Sequence, residues 1–241
     1  MIPLRDDNPS RTFPIITIVL IAANVVVFLA DLSAGGALTR AFAMVPRYVT
    51  HFPTAIIPGT SVPVWATLFT MMFLHGGWVH IGGNMLYLWI FGNNTEDELG
   101  HGRYLLFYFA CGLAAEVIQI AVSPGSRVPT IGASGAIAGV LGAYLVLFPD
   151  ARVTTLIFAL FIFIVQIPAR IVLGFWFLLN LYDTLISTAA TLHHSQASGG
   201  VAFAAHVGGF ATGWLLVRFT GRPPERSRSY QRPRFFDDNL S

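Results

Sequence analysis

Apolar segments of near membrane-crossing length follow one another along this chain, and that succession leaves few folds open to it. They run from Ile15 to Leu32, from Val79 through Phe91, from Tyr104 to Val122, from Ser134 to Phe148, from Ala169 to Ile186 and from Val201 to Phe219. Of 241 residues, 54% are hydrophobic and 11% charged, about half the charged share of a soluble domain. Mean hydropathy is +0.65. The pattern predicts an all-α integral membrane protein. Residues 1–14 are expected as a polar, cytoplasmic leading segment, 15–219 as a six-helix membrane domain, and 220–241 as a disordered arginine-rich tail. Cys111 is the single cysteine and has no disulfide partner within the chain. No cleavable-signal pattern precedes the first segment.

The connections divide into plain turns and two stretches that resist assignment. Asn93 to Arg103 is expected as a charged turn, Ser123 to Pro129 as a polar one, and Ser187 to Gly200 as a loop of small residues. Leu32 to Val79 contains Pro46, Pro53, Pro58 and Pro63 between short apolar patches, and is expected to lie on the membrane surface. Arg152 to Ile167 is apolar and β-branched between Pro149 and Pro168; it is expected to be interfacial.

All fourteen basic residues are arginine. Six spans put both termini on one side. Counting that side as cytoplasmic gives it eleven arginines and leaves three, Arg40, Arg47 and Arg127, outside, an asymmetry that fixes the orientation. Spans two, four and six then all enter from the outer face. His80, Ser134 and His206 belong to the entering portions of those three spans, and so converge on one layer.

That layer contains the elements of a nucleophilic site. Ser134 opens a segment whose fifteen residues rise about 22 Å, against roughly 30 Å of hydrocarbon, so the hydroxyl is recessed. Gly135, Gly139 and Gly142 stripe span four, while Gly209 and Gly213 share a helical face with His206. Small residues so spaced let helix backbones approach closely, which would bring the imidazole to the hydroxyl. Serine beside histidine is the minimum for an activated nucleophile; the plain alternative is that the two polar groups merely satisfy each other. His80 and Asn84 lie one turn apart on span two and can offer donors to an oxyanion, as can the first N–H groups of the Ser134 helix. Asp31, Glu116 and Asp183 lie in spans out of register with His206, so a Ser–His dyad is expected rather than a triad. His75, His193 and His194 have no carboxylate or thiol at ligand spacing, and no metal site or cofactor is expected.

In combination these residues resemble the rhomboid intramembrane serine proteases. Gly132-Ala133-Ser134-Gly135 matches the G-x-S-G motif. Ala205-His206 with Gly209 and Gly213 is similar to the A-H-x-x-G-x-x-x-G motif of the last helix. His75, His80 and Asn84 resemble the H-x-x-x-x-H-x-x-x-N pattern, and Glu96 to Gly100 the E-x-x-L-G turn. A Trp-Arg pair that some members carry in the first loop is absent. The resemblance implies a rhomboid-like bundle with a short, recessed fourth helix. It also implies Ser134 as nucleophile, His206 as general base, His80 and Asn84 as oxyanion donors, and cleavage of single-span or membrane-anchored proteins in or near their transmembrane segments. Neither cofactor nor nucleic acid enters. The expected setting is the lipid bilayer of a bacterial inner membrane, with the site toward the outer face. Relatives that bind membrane clients without cleaving them typically lack the serine or histidine; both are here. A channel or transporter is disfavoured by the uncharged convergent layer and by the absence of an internal repeat. Substrate is expected to enter beside Phe175, Trp176 and Phe177, under the Ser187–Gly200 loop, so that Trp176→Ala would speed cleavage.

Overall fold

The computed structural model describes residues 1–158, 162–192 and 202–220. The chain is mostly helical: α1 (Ile15–Ser33), α2 (Ala37–Phe42), α3 (Pro46–His51), α4 (Thr67–Thr70), α5 (Trp78–Leu99), α6 (His101–Val122), α7 (Ser134–Leu147), α8 (Ala169–Leu192) and α9 (Phe203–Thr220). Ile15–Ser33, His101–Val122 and Ala169–Ile186 are long and apolar enough to cross a membrane. α5 and α9 are of similar length, but His80, Asn84, Asn93 and Asn94 interrupt one, and His206 with three glycines the other. The tail beyond Thr220, and residues 193–200 of the expected small-residue loop, lie outside the described residues. Residues 187–192 of that loop continue α8.

α7 is the centre. Gly135 through Tyr144 are all buried, as a helix apolar on every side must be, and α9, α6 and α5 surround it. Its glycines set the spacing. A Cβ on Gly209 would collide with the Gly135 carbonyl oxygen, one on Gly213 with that of Gly139, and one on Gly142 with that of Phe210. Backbone meets backbone there, and α7 and α9 can pack this closely only without side chains.

The junction after α5 differs from the charged turn expected over Asn93 to Arg103. α5 continues to Leu99, and the turn is Gly100 alone, at φ +78°. The acidic residues before it are structural. Buried Glu96 accepts the N–H groups of Ile16 and Thr17, each at 2.8 Å, and the Thr17 hydroxyl at 2.7 Å. A carboxylate there complements the positive end of α1. Asp97 accepts N–H from Arg11 and Thr12 at 3.0 and 2.9 Å. Arg11 Nε bridges to the same carboxylate at 3.1 Å.

The expectation of an all-α chain is corrected by a three-stranded antiparallel sheet, ordered β1 (Ile2–Asp6), β2 (Arg152–Phe158), β3 (Ile162–Pro168). Leu156 pairs with Ile2 on one side and Ile164 on the other, and Val153 with Ile167. The run of Val, Ile and Thr favours a pleated strand over a helix. The leading residues are thereby tied to the rest of the chain: Asp6 accepts hydrogen bonds from the Tyr144 hydroxyl and from Asn94 Nδ2. Leu32 to Val79 also does more than coat a surface, since Met44, Met71, Met72 and Leu74 are buried in the core.

Candidate active site

Ser134 is the first residue of α7, placed by the residues just before it. Gly132 has φ +122°, and a Cβ there would come 2.8 Å from His80 Nε2. Only glycine suits both that backbone and that space. α9 brings His206 across the glycine seam, and Ser134 Oγ lies 2.7 Å from His206 Nε2. The other ring nitrogen, Nδ1, lies 2.6 Å from Asn180 Oδ1. Asn180 Nδ2 donates to the Trp176 carbonyl at 2.8 Å, so its oxygen faces the imidazole. Nδ1 therefore carries the hydrogen, and Nε2 is left to accept from the serine. This is the tautomer a general base needs. His206 is buried, 8% exposed. The Trp176 ring packs on it with centroids 5.7 Å apart, and Phe203 meets it edge-on.

Opposite the serine stand His80 and Asn84 of α5. His80 Nδ1 accepts the Gly76 N–H at 3.3 Å, which puts the ring hydrogen on Nε2, the atom beside Gly132 and so near Ser134. Buried Asn84 Nδ2 has no hydrogen-bond partner among the described residues. Buried donors are seldom left unpaired, and this one lines a cavity of about 1030 Å³ together with Ser134, His206, His80, Glu116 and Trp176. Two donors thus face the same space as the serine, whose own hydrogen is given to His206.

The structure brings together Ser134, His206, His80, Asn84 and Gly132, and sets Gly135, Gly209 and Gly213 in the seam that fixes their spacing. His75 stacks edge-on against His80 at 5.0 Å, supporting that ring from outside the cavity lining. Glu116 lines the cavity although none of its oxygens reaches His206 through a hydrogen bond, and among the described residues no cluster of His, Cys, Asp and Glu could hold a metal. Sequence reasoning missed Asn180. Only carboxylates were considered for the imidazole's second partner, yet an amide oxygen serves as acceptor; the signal was a polar residue four positions after Trp176 in a run of bulky apolar ones. Trp176 proves to be a wall of the imidazole as well as a neighbour of any opening.

The Rhomboid domain family matches residues 62–223. The chain is 43% identical over 81 residues to Rhomboid protease GluP of Bacillus subtilis, covering 34% of this chain and 15% of that protein. It is 28% identical over 165 residues to Rhomboid protein 1, mitochondrial, of Saccharomyces cerevisiae, covering 65% and 42%. It is 29% identical over 146 residues to the human presenilin-associated rhomboid-like protein, mitochondrial, covering 60% and 36%. The matches thus span less than half the length of each of these relatives.

Proposed function

Because this chain belongs to the rhomboid family, we propose that it is an intramembrane serine endopeptidase. In this reading α1, α5, α6, α7, α8 and α9 form the six-helix membrane bundle, and the substrates are single-span or membrane-anchored proteins cut in or near their membrane segments. The observation that carries it is the 2.7 Å contact between Ser134 Oγ and His206 Nε2 at the edge of a cavity lined by two donors.

The chemistry follows from that geometry. His206 Nε2 takes the hydroxyl proton as Ser134 Oγ attacks the scissile carbonyl, while Asn180 holds the Nδ1–H and orients the ring. The carbonyl oxygen gathers negative charge and is met by His80 Nε2–H, Asn84 Nδ2–H and the first N–H groups of α7, which no helical carbonyl can reach. The C–N bond breaks as His206 returns the proton to the leaving amine, and the acyl group stays on Ser134. A water, deprotonated by the same imidazole, then releases the carboxylic acid and restores the serine. Asn180 is neutral, so it steers the imidazole and stabilises its cation less than a carboxylate would.

The test is cleavage of a generic single-span substrate in proteoliposomes. The wild-type chain is expected to cut it and Ser134→Ala to leave it intact. Equal cleavage by both would end the reading. A folded wild type that binds substrate without cutting would instead favour an inactive, client-binding membrane protein.

A further inference from the structure

The sheet carries apolar side chains that are well exposed. In β3, Ile162, Phe163, Ile164 and Val165 are 68%, 48%, 65% and 37% exposed. Successive residues of a strand point to opposite faces, so this strand has exposed apolar residues on each face, most of all Ile162 and Ile164. The inner half of the sheet behaves differently: Val153 and Thr155 are fully buried. The sheet is therefore seated on the bundle at its base and overhangs it at the hairpin end. On the outer face the row Ile2–Leu156–Ile164 crosses all three strands, and Ile2 is 39% exposed.

What covers the overhang follows from where the strand leads. Pro168 ends β3 and Ala169 begins α8 without a linker, and Ala169–Ile186 is apolar and long enough to cross a membrane. Exposed apolar residues resume at once on that helix, at Ile171, Phe175 and Leu178. The hairpin thus continues a lipid-facing surface at the level where the helix enters the membrane. Its charged residues gather at the base: Arg152 pairs in register with Pro168, and Arg170 bridges to Asp150. The apolar stretch Ile162–Val165 and the cationic base match the change from acyl chains to headgroups. A terminal strand in the hydrocarbon centre would leave backbone groups unsatisfied, whereas the interfacial layer supplies water and headgroups to them.

We propose that the β2–β3 hairpin is an interfacial anchor, which lays Ile162–Val165 into the headgroup–acyl boundary of the bilayer that α8 crosses. This rests on the membrane residence of the family and is independent of whether Ser134 is a nucleophile. The test uses the full chain in phosphatidylcholine–phosphatidylglycerol nanodiscs, spin-labelled at Ile164→Cys or, on the opposite face, Phe163→Cys. Cys111 is fully buried and stays out of reach of the reagent. Val26→Cys on the exposed side of α1 marks lipid, and Ser10→Cys marks water. Both hairpin labels are expected to collide with oxygen more than with Ni-EDDA, as the Val26 label does. Ratios like those of Ser10 would overturn the proposal. So would protection from both reagents with dipolar broadening between labels, which would show a second copy of the chain seated on the strand.

Discussion

At its first turns α7 meets α9 backbone to backbone, whereas near its other end it is tied to the N-terminal strand by one tyrosine hydroxyl. The first contact is made by Gly135, Gly139, Gly209 and Gly213, backbone against backbone, with no room for one more atom. The second runs from Tyr144 to Asp6, whose carboxyl is pushed up to about 6 by burial, against the opposing hydrogen bonds of Tyr144 and Asn94. The difference teaches where this fold tolerates adjustment. The end bearing Ser134 and His206 is fixed by steric exclusion, which is insensitive to solution conditions; the end that docks the strand depends on protonation.

The sharpest break of that comparison is Gly209→Val. Overpacking a tight seam typically costs about 1–3 kcal/mol and occasionally more, and the obstacle here is backbone that cannot swing aside. We expect loss of cooperative thermal unfolding in detergent. Gly82→Ala on α5, where a Cβ meets nothing within 4 Å, should unfold as wild type does.

A smaller effect is expected at the imidazole. Asn180→Ala removes one hydrogen bond worth about 1 kcal/mol, so kcat should fall roughly five- to tenfold with KM unchanged. An unaltered kcat would return the site to a bare dyad. Trp176→Ala, which from the sequence is expected to speed cleavage, should slow it in steady-state assays, because the ring packs directly on His206.

A third effect concerns the strand end and depends on pH. Asp6 has a folded-state pKa above its ordinary 3.8, so the folded chain binds its proton more tightly than the unfolded chain. Its stabilising contribution is fully present below about pH 4 and is lost as pH rises through about 6. Asp6→Asn, which mimics the neutral form, should match wild type at pH 4 and unfold at a higher temperature than wild type at pH 7.5, by calorimetry in detergent. A wild-type advantage at pH 7.5 would contradict the assignment.

How far the sequence disclosed all this depended on periodicity. The glycines of α7 and α9 recur at helical spacing, and His80 and Asn84 sit one turn apart, so their meeting could be read directly. Glu96 was legible as a motif residue and illegible as a cap, because its partners at Ile16 and Thr17 lie some eighty positions away. The β2–β3 hairpin was hidden for another reason: an uninterrupted apolar run fits a strand or a membrane-seated segment equally well. Its wealth of β-branched residues was visible, but the pairing with Ile2–Asp6 that makes it a sheet was not.

The central claim is that Ser134 is a nucleophile activated by His206. A fluorophosphonate probe applied to the reconstituted chain, followed by mass spectrometry of the labelled peptide, tests this most directly. The account predicts adduct on Ser134 in the wild type and little or none in a folded His206→Ala variant. Equal labelling in both, or no labelling of a well-folded wild type, would contradict it.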